Sequence, residues 1–414
     1  MASNRIGRIN EEIQRELAAL IRTVKDPRVH GLVSVTAVDT TPDLRYAKIY
    51  VSVLDKSDVK EVVKGLKSAG GYLRRELGRA LSLRYTPELQ FVEDDSIDTG
   101  AHILSMLRNP EVVKELGDVG NDIQIYGNKL YAVINCSHKV EVMDVRTCKR
   151  IGQVDIPNCR YIRFAKGKAY VSAYVGPVAI DPNAQLGAVY EVDTASLAVT
   201  RKVTVGYQPD ELEVLGEYLY VANSGGYRAP DYDSTVSVVE IYGMKQIQKI
   251  PVGINLHRIR KDRYGKLWVT SRGDYNTIPS RLYVLDRKDK NSKEMVVKDT
   301  LDIPCSEMYI QGDSLYFYSV EWNKQTERNT VTYGIIDVRT GQLVTDHFIT
   351  DGTEQDIVIP YGICVHPTTG DIYVTDAKNY VSSGVLHCYD RHGKKKWSVR
   401  TGDIPAHMAF YDPQ

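Results

Sequence analysis

The 414-residue sequence has no excess of charge of either sign, few cysteines and no long apolar run. Lys and Arg together number 53, as do Asp and Glu, so net charge indicates neither a nucleic-acid nor a membrane partner for the whole chain. The six cysteines show no paired C-x-x-C spacing, which argues against a zinc site and favours buried or half-buried thiols. Without a membrane-length apolar segment or a signal peptide, the chain is expected to be cytoplasmic.

Composition changes along the chain. Before the acidic stretch that begins at Glu93, Lys and Arg exceed Asp and Glu by about five, a modest basic excess. All six cysteines and all three tryptophans lie after residue 110. A chain of this length also exceeds one typical domain. We therefore predict two modules, residues 1–108 and residues 117–414, joined by residues 109–116.

The first module alternates helical and strand patterns. Apolar residues at helical spacing run from Ile6 to Val24, and Asp26-Pro27 ends that helix. Two strand patterns with a turn between them predict a hairpin, and a second helix follows from Val59. Helical spacing continues to Leu81 although glycines interrupt it, each at a cost of about 1 kcal/mol relative to alanine. A kink between two helices would explain these glycines. A third strand is predicted after Pro87.

This order predicts a small α+β layer, and its residues resemble the ribosome-binding factor A family. Six segments carry the resemblance in the right order, namely residues 8–17, 26–31, 43–52, 69–74, 83–89 and 94–97. The family has a type II KH-like fold, and Ala69 and Gly71 match the helix kink that replaces the usual G-x-x-G loop. The resemblance therefore gives no reason to expect ordinary KH-style clamping of single-stranded RNA.

The resemblance implies a cytoplasmic, non-catalytic assembly factor that binds the immature 30S subunit and assists late processing of 16S rRNA. Arginine binds phosphate in a bidentate manner, so arginines of this module are the candidate RNA contacts. They are Arg5, Arg8, Arg15, Arg28, Arg74, Arg75, Arg79 and Arg84. The alternative for each is a solvated helix face. The sequence offers no catalytic cluster, so we predict no enzyme activity, no cofactor and no metal.

The second module repeats a glycine turn followed by an apolar-aromatic strand, at a period of roughly 40 to 60 residues. The repeats begin at Gly127, Gly167, Gly216, Gly265, Gly312 and Gly370. Short strands with regular turns predict an all-β propeller with six recognisable blades and an incomplete seventh from Ile404. Residues 116–122 and the blade pattern resemble the YncE-like β-propellers, and the ligand of this module is not predicted.

Polar residues of the propeller allow several interpretations. Asp144, Asp193, Asp286 and Asp337 end strands at equivalent points, which indicates turn chemistry. His257 and His407 fall at blade starts, where they either line the central channel or serve as hydrogen-bonded structural residues. A hydrolase or lyase would need clustered acids and histidines facing the channel. An alternative for the whole chain is that the propeller is the functional ligand- or protein-binding module and the chain is an artificial or mis-assembled fusion.

Overall fold

The computed structural model describes residues 3–30, 33–41, 44–53, 59–81, 86–93, 116–323 and 328–411. The chain divides into two compact units, Met1–Met106 and Leu107–Gln414. This confirms the two-part organisation, while the junction predicted at residues 109–116 lies almost wholly outside the described residues and stays a prediction. Within the described ranges, no helix combines the length and the apolar character that crossing a membrane requires.

The N-terminal unit is an α+β layer. Its elements are α1 (Ser3–Leu20), a 3-10 turn (Ile21–Thr23), β1 (Val33–Thr40), β2 (Tyr46–Val53), α2 (Val59–Ser68), α3 (Gly70–Leu81) and β3 (Glu88–Glu93). The sheet order is β1-β2-β3, with β1 antiparallel and β3 parallel to β2. A parallel pair needs a long crossover, which α2 and α3 supply. The α-β-β-α-α-β order confirms the arrangement expected for a type II KH-like fold.

The core of this unit lies between the helices and the sheet. Apolar residues three and four apart on each helix share one buried face, and alternate residues of the strands meet them. The fully buried members are Ile13, Leu17, Ala47, Ile49, Val51, Val62, Leu66, Leu73, Leu77 and Phe91. In β1 the alternation is broken, because a bulge between Val35 and Ala37 shifts the register. As a result Val35 and Val38 are both buried, although they lie an odd number of positions apart along the strand.

In its described residues, the second unit contains six four-stranded antiparallel sheets, which we number as blades 1 to 6. Blades 1 to 3 contain β4 (Gly120–Tyr126), β5 (Lys129–Ile134), β6 (Lys139–Asp144), β7 (Arg150–Asp155), β8 (Cys159–Ala165), β9 (Lys168–Ala173), β10 (Leu186–Asp193), β11 (Val199–Tyr207), β12 (Pro209–Leu215), β13 (Tyr218–Asn223), β14 (Thr235–Glu240) and β15 (Lys245–Pro251). Blades 4 to 6 contain β16 (Leu256–Lys261), β17 (Leu267–Ser271), β18 (Arg281–Arg287), β19 (Met295–Leu301), β20 (Glu307–Gln311), β21 (Ser314–Asn323), β22 (Arg328–Asp337), β23 (Gln342–Thr345), β24 (Pro360–Val365), β25 (Ile372–Asp376), β26 (Ser383–Tyr389) and β27 (Lys395–Asp403).

The first strand of each blade is the innermost, and it lies beside the first strand of the next blade from β4 through β24. The outermost strands are much more exposed, as β11 and β15 illustrate. The strands of each blade are antiparallel, so the first strand starts at the end of the sheet where the second strand stops. The loop after the second strand therefore lies at that same end. We call this end the upper face of the propeller. The count of six blades from the sequence is confirmed.

The repeated turns also behave as the sequence indicates. The glycine between the first two strands of each blade has a positive φ, for example 61° at Gly127 and 86° at Gly265, a conformation that favours glycine. Asp144 accepts hydrogen bonds from the backbone N–H groups of Arg146 and Thr147, and Asp193 does the same for Ala195 and Ser196. The prediction of turn chemistry for these aspartates is confirmed.

The segment that follows β27 does not form a strand in the described residues up to Tyr411. We call residues 404–411 the closing segment, because they contact both the last and the first blade. On blade 6, the carbonyl of Pro405 accepts a hydrogen bond from Thr375, and Phe410 packs on Tyr373. On blade 1, the Tyr411 hydroxyl accepts a hydrogen bond of 2.7 Å from Arg146 Nε. The start of a seventh blade predicted at Ile404 is therefore a link between blades 6 and 1.

The cysteines are free thiols. Cys159, Cys305, Cys364 and Cys388 are buried and Cys148 is partly exposed, in agreement with the sequence. Cys136 is exposed, so the expectation of a buried or half-buried thiol is wrong at this position. Cys136 belongs to the turn between β5 and β6, and connecting segments of this kind lie at the protein surface.

Candidate functional site

Helix α3 carries a group of exposed arginines. Arg75 Nε lies 3.5 Å and Arg79 Nη1 lies 2.9 Å from the same carboxylate oxygen of Glu76. Both arginine side chains remain about two-thirds exposed, at 64% and 70%. Exposed ion pairs of this kind contribute only about 0–1 kcal/mol, so they hold the guanidinium groups weakly. Both groups are therefore free to exchange Glu76 for a phosphate.

Arg74, on the same helix, has a structural contact. Its Nε and Nη2 atoms donate hydrogen bonds of 3.0 and 2.9 Å to the carbonyl oxygen of Thr86. This fork joins α3 to the segment that leads into β3. Arg74 thus positions the chain at the helix–strand connection, which separates its role from those of Arg75 and Arg79.

Arg28 is engaged with a neighbour in sequence. Its Nε and Nη2 atoms donate hydrogen bonds of 3.0 and 2.7 Å to the two carboxylate oxygens of Asp26. Hydrogen bonds from the side chain and backbone of Arg28 lower the pKa of Asp26 to about 2. This bidentate pair shapes the turn after α1, and an RNA phosphate would have to compete with a carboxylate for Arg28.

The other predicted arginines are spread over the unit. Arg15 is exposed on α1, a helix that packs against β1 and α3. The structure describes the backbone of Arg5 and Arg8, which lie on α1, but not their side chains. Arg84 lies outside the described residues altogether. Of the predicted set, Arg74, Arg75 and Arg79 lie on α3, and Arg5, Arg8 and Arg15 lie on α1.

The structure divides the glycine-containing helical segment at Ala69, the residue between α2 and α3. Gly71 lies in the first turn of α3, and a Cβ atom built at this position would meet nothing within 4 Å. Next to it, Tyr72 is 38% exposed, and its hydroxyl lies 3.1 Å from Thr23 Oγ1. An exposed ring beside open backbone is a surface on which RNA bases can stack. Sequence reasoning missed Tyr72, although an aromatic residue directly after two glycines was the available signal.

In the propeller, charged residues occupy the same register position on most of the innermost strands. In each blade this residue comes just before an apolar residue of the first strand that is paired with the second strand. Ile123, which pairs with Ala132, and Leu212, which pairs with Val221, are examples of that apolar residue. From blade 1 to blade 6 the residues are Asp122, Tyr161, Glu211, Arg258, Glu307 and Gly362. All five side chains of this series are buried. The repeat therefore concentrates buried charge along the propeller axis.

Asp210, which is fully buried, connects three blades. Its Oδ1 atom accepts hydrogen bonds of 2.8 Å from the Tyr174 hydroxyl and 3.2 Å from Arg160 Nε. Its Oδ2 atom lies 3.0 Å from His257 Nδ1 and 3.3 Å from Arg272 Nη1. Burial alone would raise the pKa of Asp210, but Arg160, His257 and Arg272 hold it far below its ordinary value. The carboxylate is therefore ionised and fully engaged.

Arg163 connects two further carboxylates. Its Nη1 atom donates to Asp122 Oδ2 at 2.9 Å, and its Nη2 atom donates to Glu211. The same carboxylates also accept backbone N–H groups of the following blade, from Ile162 at 3.1 Å and from Ile259 at 3.0 Å. We refer to the ion-paired groups around these strands, most of them buried and Arg272 31% exposed, as the central charge cluster. It comprises Asp122, Arg160, Arg163, Asp210, Glu211, His257, Arg258, Arg260, Arg272, Glu307 and His407.

The two histidines of the cluster are neutral at neutral pH. His257 Nε2 lies 2.9 Å from Arg272 Nη2, and because a guanidinium only donates, this nitrogen accepts and Nδ1 donates to Asp210. Burial, Arg272 and Arg258 hold the pKa of His257 well below its ordinary value. Burial and Arg258 lower the pKa of His407 to about 4. His257 is thus a buried histidine with hydrogen-bond partners on both ring nitrogens, which agrees with the structural interpretation that the sequence allowed.

The lowered pKa of His407 predicts a loss of stability in acid. The fold keeps His407 neutral, whereas the unfolded chain protonates it below a pKa of about 6.5. The free energy of unfolding therefore falls as the pH drops from about 6.5 towards 4. For His407 the loss at pH 4 is about 3 kcal/mol. Urea unfolding followed by tryptophan fluorescence reports this unit alone, since all three tryptophans lie in it. His407→Gln should make the free energy of unfolding less dependent on pH between 6.5 and 4, whereas His347→Gln, at an exposed site, should leave that dependence unchanged. Equal pH dependence in the native chain and in both variants would contradict the prediction.

The N-terminal unit matches a known family over its whole length. The family model described as ribosome-binding factor A matches residues 5–107. Ribosome-binding factor A of Clostridium tetani is 49% identical over 123 residues, which are 99% of that protein and 29% of this chain. The chain belongs to the ribosome-binding factor A family. Its relative from Acetivibrio thermocellus is 51% identical over 105 residues, 85% of that protein and 25% of this chain.

Family membership rests on about a quarter of the chain, and we call residues 1–106 the ribosome-binding factor A unit. The propeller resembles solved structures in fold alone. Kuenenia stuttgartiensis hydrazine synthase is similar with a TM-score of 0.55 at 15% identity, over 72% of this chain and 91% of that one. At this identity the likeness carries no information about the chemistry of the propeller.

The central charge cluster is the feature that sequence reasoning missed most completely. His257 and His407 were recognised as channel candidates, but the arginines and carboxylates beside them were not. A signal was present, because the charged residues recur at a fixed distance before the glycine turn of several blades, for example Asp122 before Gly127 and Glu211 before Gly216. In the part of the chain that the structure describes, no group of three His, Cys, Asp or Glu side chains is arranged to hold a metal ion.

Proposed function

We propose that this protein is a cytoplasmic ribosome assembly factor whose ribosome-binding factor A unit binds the immature 30S subunit and contacts 16S rRNA without catalysing a reaction. The observation that carries the proposal is the 49% identity to a ribosome-binding factor A along 99% of that relative. An identity of this level over a complete small protein supports a shared partner. The propeller is proposed to bind a ligand and not to catalyse.

Three surface features of the unit support an RNA partner. Arg75 and Arg79 are exposed and only weakly paired, so they can bind phosphate. Tyr72 presents an aromatic ring next to the open backbone at Gly71, which suits stacking on an unpaired base. Because Arg74 holds the carbonyl of Thr86, we assign it to positioning and leave it out of the contact set.

The carboxylates of the propeller support a binding role over acid–base chemistry. Asp210 accepts hydrogen bonds from Tyr174 and Arg160, and it also contacts His257 and Arg272. Glu211 contacts Arg163 and Arg260. A general acid or base needs a carboxyl group that can take up or release a proton, and the pKa of Asp210 is held far below the range in which it could do so.

Charge reversal on α3 tests the proposal. The double substitution Arg75→Glu with Arg79→Glu should weaken co-sedimentation of the full chain with purified 30S subunits by roughly tenfold or more. The salt dependence should also become shallower by about two released counterions. Arg281→Glu with Arg339→Glu is the matched control, since both residues are partly exposed arginines of the propeller that pair with an aspartate.

Several results would contradict this proposal. Unchanged 30S affinity and an unchanged salt slope in the α3 variant would remove that helix from the interface. Absence of any 30S association by the native chain would overturn the function itself. Equal weakening by the control pair would show that the effect follows net charge rather than the surface of α3.

A further inference from the structure

One buried guanidinium in the central charge cluster lacks partners for much of its donor capacity. Arg258 is only 6% exposed and pairs through Nη2 with Glu307. Among the described residues, its Nε and Nη1 atoms have no hydrogen-bond partner. Nε of the neighbouring Arg260 is in the same state. Buried charged donors without an acceptor are unfavourable, and native structures normally supply an acceptor for them.

The carboxylates of the cluster are shared among several arginines. Glu307 pairs with Arg258. Arg163 and Arg260 share Glu211, and Arg160 and Arg272 share Asp210. The Nε and Nη1 groups of Arg258 are left without an acceptor among the described residues.

The Arg258 guanidinium lies over the ring of Tyr161, which other members of the cluster also contact. Arg258 and Arg160 lie 5.0 and 6.0 Å from the centroid of the Tyr161 ring. The rings of His407 and His257 meet the same ring edge-on, with centroid distances of 6.0 and 6.3 Å. Arg272, which contacts His257, is 31% exposed.

We propose that the centre of the propeller binds one small oxyanion, a carboxylate or phosphate group, at Arg258 beside Tyr161 and Arg160. Such a group accepts several N–H bonds at once and matches the planar fork of arginine. It would occupy the free Nε and Nη1 donors of Arg258. The neutral His407 adds an imidazole that donates or accepts, depending on its tautomer. This inference does not depend on ribosome association.

The first test is a titration of the full native chain in HEPES buffer with inorganic phosphate in one arm and succinate in the other. Binding is measured by calorimetry and by the rise of the tryptophan-detected unfolding temperature, which a ligand of the folded state must cause. Saturable binding at one site in either arm is expected, and the stronger arm identifies the source of the oxyanion. Lack of saturable binding in both arms would overturn the proposal.

Substitutions locate the site. Arg258→Lys keeps the charge but removes the planar fork, and it should weaken binding at least tenfold. Arg258→Met with Glu307→Gln removes both members of the ion pair together, so that no buried carboxylate is left alone, and it should abolish binding. Arg339→Met, at a turn on the opposite edge of blade 5, should bind as the native chain does.

A measurement on the native chain covers the case in which these variants fail to fold. With ¹⁵N-labelled arginine, a buried Nε–H resonance should shift on addition of the stronger ligand and should exchange more slowly with solvent. Native affinity in the folded Arg258 variants, or ligand addition that moves only exposed arginine resonances, would overturn the proposal.

Discussion

Replacing Arg163 by methionine is expected to lower the free energy of unfolding of the propeller by about 3–5 kcal/mol. Arg163 is buried and bridges two carboxylates, Asp122 on blade 1 and Glu211 on blade 3. Methionine fills similar space but leaves both carboxylates with one fewer cationic partner. Burial already raises the pKa of Glu211 in spite of Arg260 and Arg163, so this group is the most sensitive to the loss.

Urea unfolding of the full chain, detected through tryptophan fluorescence, measures this effect in the propeller. Lys168→Met is the matched control, because Lys168 pairs with Asp193 at a partly exposed site, where loss of the pair should change stability by less than about 1 kcal/mol. A second variant, Arg163→Met with Glu211→Gln, should recover part of the loss, since it removes one of the stranded charges. A loss below 1 kcal/mol for Arg163→Met would show that the cluster does not depend on this bridge.

The second large effect is expected at Gly362. This glycine occupies the position that carries a buried side chain on the other five innermost strands. A Cβ atom there would lie 1.7 Å from the carbonyl oxygen of Ala406 and 2.9 Å from Thr375 Oγ1. A carbon and an oxygen atom that are not bonded cannot approach to 1.7 Å, and the Ala406 oxygen cannot swing aside because it belongs to the backbone. Gly362→Val should therefore displace the closing segment from blade 6 and destabilise the propeller by a few kcal/mol.

Hydrogen exchange followed by mass spectrometry shows whether the closing segment has moved. In Gly362→Val, peptides covering residues 404–411 should exchange many times faster than in the native chain, while β12 and β16 keep their protection. Gly402→Ala is the control, since a Cβ at Gly402 would meet nothing within 4 Å. Native exchange in residues 404–411 of the valine variant would contradict the assigned seating of this segment.

The sequence predicts elements and blade count well because these depend on local patterns. Helical spacing identified α1, α2 and α3, and the repeated glycine turn identified all six blades. The bulge between Val35 and Ala37 escaped prediction, because a single extra residue in a strand leaves no mark in apolar alternation until its partner strand is known. Without it, Ala37 rather than Val38 would be assigned to the buried face.

The candidate sites were harder to predict than the fold. Whether an arginine faces solvent or holds a carbonyl depends on the partner segment, so sequence reasoning treated Arg74 and Arg75 alike, although only Arg74 holds the carbonyl of Thr86. The central charge cluster joins residues from blades that are distant in sequence, such as Arg163 and Glu211. Its charges look like ordinary surface residues until the ring of blades brings them to the axis.

The closing segment also has a consequence for the order of events during synthesis. Domains generally fold as units from the N-terminus as the chain is made. Blades 1 to 6 all precede residues 404–411, so every sheet leaves the ribosome before the segment that links the last blade to the first. Chains interrupted shortly before Ile404 would contain every strand and yet lack this link. Such a chain would lack the hydrogen bonds that join blades 6 and 1, so a protease would reach this junction more easily than in the native fold.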